Sequence, residues 1–417
     1  MTAAEKLLAK ICDFYLDSGD FNGLPVRVLA PKIDTSEIVA QLIRTGEVDI
    51  VRGDGHPNPY IKALHADPID IQIEKIQKEG LAGCLYPTNK TLKKIGAGRS
   101  SSKRPFTREL FLGAPQLDFR VFDLRFLEWY RNDPRYYYEV DDIHGRIRQR
   151  EGTKDKKGTL LSDSIEFIEF GFAFDEELNR GVAVFLRYLH DLPASQQRLL
   201  KSHQLKGSYR LHPDFYRTQI IGDFPERVSI YDAFLEEKHL INEMCTAIGK
   251  PKLFRTDNKS YKRPGGFAVL IRPTNKEFRD FCLLLDQLFS DDLNSTFFNS
   301  DLETTETVTK EDGTSVVQSI GTIKLLETWV RSQFRTKEPE VIDQLFRNLR
   351  KVRTARQKPA HKPADNDYDQ KYLKEQRELM TAAFDAIRTI RMILENHPRA
   401  RSVNVPEWIR SGKVWVI

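Results

Sequence analysis

The period at which apolar residues recur changes along this chain, and that change constrains the fold more than any other feature. Between Tyr136 and Tyr188 the period is two: Tyr136, Tyr138 and Val140, then Phe170, Phe172 and Phe174, then Val182, Val184, Leu186 and Tyr188. Alternate residues of a strand share a face, so this stretch reads as an antiparallel, strand-rich region. From Thr322 the spacing becomes helical: Ile323, Leu326, Val330 and Phe334, then Val341, Leu345, Leu349 and Val352, then Leu373, Met380, Ala383, Ile387, Ile390 and Leu394 before Asn396-His397-Pro398. At 417 residues the chain is also longer than a single core supports, which is roughly 250 to 300 residues. The expectation is an α+β multidomain protein.

Residues 1–95 read as three helices and a hairpin. Leu7, Leu8, Ile11 and Tyr15 suit a first helix, Leu24 to Leu29 a short second one, and Ile38, Leu42 and Ile43 a third that stops at Gly46. Val48 to Val51 and Tyr60 to Leu64 flank a Gly- and Pro-rich turn with the look of a wing, so the layout resembles a winged-helix domain. This segment holds 12 basic and 13 acidic residues. That balance is wrong for a duplex binder, because phosphate contacts dominate DNA affinity, and it favours a winged helix used for packing or protein contact.

Residues 96–108 are glycine-rich and basic but lack the order of a phosphate loop, so they read as a basic flexible linker. Residues 109–290 are expected to form the strand-rich middle domain with its following helices. The Tyr136-Tyr137-Tyr138 run has the residue type that stacks RNA bases, but strands also need aromatics for their cores, and the core reading is favoured. Helices are expected at Pro193 to Leu205, at Pro225 to Ile248, and after Thr274, which with Glu277 forms a capping box. Residues 291–321 read as a polar, acidic hairpin or linker around Asp312-Gly313, and residues 322–417 as an all-helical C-terminal domain.

No stretch approaches the roughly 18 to 20 consecutive apolar residues of a membrane helix, and the amphipathic start with Glu5, Lys6 and Lys10 is unlike a signal peptide. Cys12, Cys84, Cys245 and Cys282 lie far apart among apolar neighbours, which argues for a reducing, cytoplasmic setting. Neither His203 and His212 nor Asp141, Asp142 and His144 has a recognised metal spacing, so no metal or cofactor is expected. Charge is uneven: residues 322–417 carry 20 Lys plus Arg against 12 Asp plus Glu, inside a chain whose net charge is only +5. A polyanion should prefer the C-terminal part.

The basic run is densest from Arg347 to Lys362, with seven Lys or Arg and no acid, between two amphipathic helical segments. Within it, Arg356-Gln357-Lys358-Pro359-Ala360-His361 resembles the R-x(4-6)-H signature of the HEPN superfamily, and the resemblance covers Thr322 to the C-terminus. It implies a helical bundle, a homodimer whose two motifs share a cleft, and metal-independent RNA cleavage to 2′,3′-cyclic phosphate ends. The residue types suit that chemistry: imidazole titrates near working pH and guanidinium stays charged. His361 would be the general base, Arg356 the stabiliser of the phosphorane, and Gln357 the polar neighbour where active members most often carry Asn, Asp or His. Arg350, Arg353, Lys358 and Lys362 would hold the phosphate backbone. Tyr188 to His203 is similar to segments of bacterial proteins that end in such a domain, which implies an unidentified trigger or regulatory partner and a role in antiphage defence or a toxin system. The alternative is a non-catalytic regulator or adaptor that binds nucleic acid or protein through its winged-helix and HEPN-like domains.

Overall fold

The computed structural model describes residues 1–29, 33–53, 58–98, 103–131, 133–150, 167–224, 227–257, 263–309, 314–357 and 365–416. The chain divides into two compact units, residues 1–225 and 226–417. Both mix helices with short sheets, and the architecture is α+β. Among the described residues no helix is long and apolar enough to cross a membrane.

The first unit opens with α1 (Ala3–Asp17), started by a capping box in which Thr2 Oγ1 accepts from the Glu5 amide and Glu5 Oε2 accepts from the Thr2 amide. Then come β1 (Leu24–Pro25), α2 (Ile33–Arg44), β2 (Val48–Val51), α3 (Ile69–Glu79) and β3 (Cys84–Pro87), with the strands in an antiparallel sheet ordered β1-β3-β2. Ile11, Leu24, Val39, Ile43, Val48, Ile76 and Leu85 form the core beneath it.

Two expectations for this region are corrected. Leu24 to Leu29 is a strand followed by a 3-10 turn at Val26–Val28, because a residue preceding proline, here Leu24 before Pro25, is pushed out of the helical region. β2 pairs with β3, Val48 opposite Pro87 and Val51 opposite Cys84, and Tyr60 to Leu64 is no strand. The Lys62 amide goes instead to Gln116 Oε1 at 2.8 Å, and its ammonium to the Gly113 carbonyl at 2.8 Å. All four residues of β3 are buried, as suits a strand flanked on both sides. Gly83 ahead of it has φ +97°, and a Cβ there would stand 2.1 Å from the Val51 carbonyl oxygen.

Next come α4 (Asn89–Lys94), α5 (Pro105–Phe111), β4 (Phe119–Phe122), α6 (Arg125–Arg131), β5 (Tyr136–Val140), β6 (His144–Gln149), β7 (Phe167–Phe174), β8 (Arg180–Phe185), α7 (Leu186–Asp191), α8 (Ala194–Ser202), β9 (Arg210–Leu211) and α9 (Pro213–Tyr216). The sheet runs β4-β8-β7-β6-β5 with β9 added to β7, and every pairing is antiparallel. Phe215 of α9 lies flat on this sheet, and a Cβ at Gly171 would meet its ring at 2.3 Å. β8 ends at Phe185, so Leu186 and Tyr188 belong to a helix and not to the strand their spacing suggests. The end of the expected linker is also helical. Pro105 starts α5, Phe106 is fully buried, and Gln197 Oε1 accepts from the Phe106 and Thr107 amides at 3.2 Å; residues 99–102 lie outside the described residues.

The second unit holds β10 (Val228–Ser229), α10 (Ile230–Ala247), α11 (Asn275–Leu288), β11 (Thr305–Thr309), β12 (Ser315–Ser319), α12 (Thr322–Gln333), α13 (Pro339–Gln357), α14 (Lys371–Glu395), α15 (Glu407–Arg410) and β13 (Val414–Trp415). β10 and β13 pair in parallel, Val228 opposite Val414. A single core gathers Phe234 and Ile241 of α10, Phe281 and Leu285 of α11, Leu326 of α12, Leu349 of α13 and Ile387 of α14. The two helices that the sequence reading attached to the middle strands therefore pack with the C-terminal helices. α10 is buried on nearly every side and needs several partners, and periodicity does not say which ones. Within 291–321, Leu293, Phe297 and Phe298 belong to the same core, while β11 and β12 form a hairpin with no buried residue.

Candidate functional site

α13 buries Ile342, Leu345, Phe346, Leu349 and Val352 and carries Arg347, Arg350, Lys351, Arg353 and Arg356 off that stripe. Glu340 in its first turn and Arg356 in its last both complement the helix dipole. Among the described residues, most of the basic run is already paired within the molecule. Arg350 meets Glu327 of α12, and Arg347 donates to Gln344 Oε1 at 2.7 Å. Arg353 Nη1 lies 2.8 Å from Asp286 Oδ2 and 3.5 Å from Asp291 Oδ1. Lys351 is exposed and makes no ion pair among the described residues.

Arg356 Nη1 reaches the same Asp286 Oδ2 at 2.7 Å. The Asp286 side chain has 0% exposure, and Ser290 Oγ donates to its other oxygen. A carboxylate removed from water needs such partners, and two guanidiniums and a hydroxyl supply them. The hydrogen bond to Asp286 also holds the Arg356 guanidinium above its usual pKa, against a smaller opposing effect of desolvation. Arg356 is thus a fixed cation at the C-terminal end of α13. Only its Nη1 is engaged among the described residues, and about a third of its side chain stays open, 35% by exposure.

Arg353, Arg356 and the exposed Gln357 are brought together at this helix end. His361, Lys358 and Lys362 lie outside the described residues. The chain that follows is pinned to the start of α11: the Asn275 amide donates to the Asp367 carbonyl at 3.0 Å, and the Lys276 amide to Asn366 Oδ1 at 2.9 Å. α11 therefore receives the motif's leading arginine near one end and the incoming edge of α14 at the other.

The carboxylates that organise the site, Asp286, Asp291 and Glu327, do not follow from the motif, since they lie 23 to 70 positions from the arginines they meet. One had a sequence signal. Asp286 stands among Phe281, Cys282, Leu285 and Leu288 on the buried side of α11, and a carboxylate on an apolar stripe calls for a cationic partner.

The other candidate groups do not converge. His203 packs edge-on to Trp129 with ring centroids 5.4 Å apart, while His212 Nδ1 accepts from the Asp214 amide and caps α9. His144 Nδ1 lies 2.7 Å from Asp141 Oδ2, a pair rather than a metal set. Among the described residues no group of three or more His, Cys, Asp or Glu is placed to hold a metal. The four cysteines are free and buried, and burial pushes Cys12 and Cys84 up to about 11 and Cys245 and Cys282 up to about 12, which makes them poor nucleophiles. No protein-family model, no curated protein and no solved structure matches the chain.

Proposed function

We propose that the chain is a metal-independent RNA endonuclease of the HEPN type. The observation that carries this reading is Arg356, a guanidinium fixed through one nitrogen on a buried carboxylate with its other donors unspent among the described residues, five positions before His361. In this reading His361 takes the proton of the 2′-hydroxyl, the 2′-oxygen bonds to phosphorus, and the bond to the 5′-oxygen breaks as that oxygen takes a proton from water. A 2′,3′-cyclic phosphate and a 5′-hydroxyl result. Arg356 supplies charge and hydrogen bonds to the crowded phosphorane, with no reorganisation cost because Asp286 already orients it. Gln357 lies beside the reacting groups, and Lys358 and Lys362 hold the flanking phosphates. Arg350 and Arg353 join them only by exchanging a carboxylate for a phosphate. The active form is a homodimer in which two such motifs face one shared cleft. The N-terminal winged-helix-like domain and the antiparallel sheet recognise a trigger or partner, in antiphage defence or a toxin system.

A second reading has its own observation. Arg353 and Arg356 both spend charge on Asp286, as arginines do when they anchor a helix, and that favours a non-catalytic regulator or adaptor that binds nucleic acid or protein. Growth after induced expression separates the two. Toxicity of the native chain that disappears with His361→Ala supports the nuclease. Equal growth defects for both chains, or none for either, supports the adaptor.

A further inference from the structure

The Tyr136-Tyr137-Tyr138 run divides between core and surface. Tyr136 is 3% exposed and packs inward, whereas Tyr137 is 50% exposed on β5, the last strand of the sheet. Directly across the pair stand Arg148 opposite Tyr137 and Arg146 opposite Glu139. On β6 the burial alternates, with Gly145, Ile147 and Gln149 buried and Arg146 and Arg148 exposed. Arg150 continues the series, its guanidinium 4.5 Å from the centre of the Tyr137 ring. Among the described residues Arg146 and Arg148 make no ion pair, and Glu139 is the one carboxylate that β5 and β6 place on this face.

We propose that this face binds single-stranded RNA, with a base stacked at Tyr137 and consecutive phosphates on Arg146 and Arg148, while Arg150, held by the Tyr136 carbonyl, backs the Tyr137 ring. Alternate residues of a strand repeat at about 6.8 Å, a spacing that matches the backbone of an extended single strand. Arg146 and Arg148 stand side by side on a solvent-facing strand with Glu139 as the one carboxylate opposite them, and arginine pairs with phosphate through a planar fork that also stacks on rings. A charged strand face is usually only solvated. Here the arginines alternate in register with an exposed aromatic that already carries a guanidinium on one side, which is how sequence-tolerant single-strand platforms are built. Duplex RNA offers no free base to Tyr137 and should bind less well. This surface is independent of the cleavage reading, since it lies in the first unit and needs no reaction.

The test uses the full chain and a short fluorescein-labelled 2′-O-methyl oligouridine, which has no free 2′-hydroxyl and so cannot be cut. Anisotropy should report binding that weakens steeply with salt. Arg146→Glu with Arg148→Glu should lower affinity at least about tenfold and reduce the slope of log affinity against log salt by about 1.4, the share of two phosphates. Tyr137→Ala should cost about tenfold while Tyr137→Phe retains binding. Should the charge-reversed variant fail to fold, the half-exposed Tyr137 pair decides alone. Absence of binding at low salt would overturn the proposal and leave the face to a protein partner or to solvent. So would equal affinity for duplex RNA, or affinity that changes only with Lys358→Ala and Lys362→Ala.

Discussion

Arg356 Nη1 and Asp286 Oδ2 stand 2.7 Å apart, joining the last turn of α13 to a carboxylate of α11 that has no exposed surface. Polarity alone predicts that Arg356→Ala leaves folding nearly unchanged, as surface substitutions usually do within about 0.5 kcal/mol. The pairing changes that expectation. With Arg353 still present the single substitution should cost about 1 kcal/mol. Arg353→Ala with Arg356→Ala leaves the buried carboxylate with Ser290 as its one side-chain partner among the described residues and should cost about 2 to 3 kcal/mol, less than a fully buried pair because both arginines are a third exposed. Urea unfolding of the three chains checks this, and additive small effects would show that Asp286 needs neither arginine.

A second buried pair makes a sharper case. Lys238 of α10 has 0% exposure, and its Nζ lies 2.8 Å from Asp292 Oδ2 and 2.8 Å from Thr256 Oγ1. Asp292→Ala strands the ammonium and should destabilise by about 3 to 5 kcal/mol, whereas Lys238→Met with Asp292→Leu should restore most of the loss. Denaturation midpoints of the single and double variants measure the difference. A double variant as unstable as the single one would mean that the hydrogen bonds to Thr256, and not the charges, matter.

In the first unit the His144 and Asp141 pair should make stability pH-dependent. Burial pulls the imidazole down, but the Asp141 carboxylate at 2.7 Å, helped by Glu169, outweighs both burial and Arg146, and the net is a rise. Asp141 shows the complement: burial raises it, His144 and two backbone amides outweigh that, and the net is a fall. The pair therefore adds stability between the usual carboxylate range and the usual imidazole range, and loses it as pH climbs through the raised His144 value. His190 and His212 are pushed down by burial and act with opposite sign, so the informative quantity is the difference between native and Asp141→Asn chains. That difference should be largest between the usual carboxylate and imidazole ranges, near about pH 5.5, and should shrink as pH climbs through the raised His144 value. A difference that grows with pH would mean the pair is not ionic.

The extent of the second unit yields a prediction about fragments. Phe234, Phe281 and Leu285 belong to the core that also holds Leu349 and Ile387. Residues 318–417 alone would expose that surface and should fail to give a cooperative melt, while residues 227–417 should melt in one transition. Light scattering on the folded fragment should give twice the monomer mass at micromolar concentration, as a shared cleft requires. A cooperative melt from residues 318–417 would contradict the single core, and a clean monomer would contradict the composite site.

What was legible in the sequence was local. The Thr274 N-cap, the period-two strands as far as Phe185 and the three C-terminal helices depend on neighbours a few positions away, and each lies where its pattern puts it, although the Glu277 carboxylate accepts from the Arg272 amide and so does not close the expected capping box. What failed was long-range choice of partner. β2 selects Cys84–Pro87 across a helix, and α10 selects α14 across 154 positions through the Glu237 and Arg391 bond, because burial and polar satisfaction are settled by the whole unit. The candidate site divides the same way. Arg356 and Gln357 could be named from a motif and Asp286 marked as a carboxylate in need of a cation, but that the two are partners becomes visible only when α11 and α13 are side by side.

The most direct test of the central claim is RNA cleavage in EDTA by native, Arg356→Ala and His361→Ala chains of verified fold, with end-group analysis of the fragments. Removal of a general base or of a transition-state charge typically costs on the order of 100 to 10,000-fold. The native chain should produce 2′,3′-cyclic phosphate ends without metal, and both variants should lose that activity by at least 100-fold or so. Undiminished cleavage by His361→Ala, or cleavage by the native chain only after a divalent metal is restored, would contradict the account.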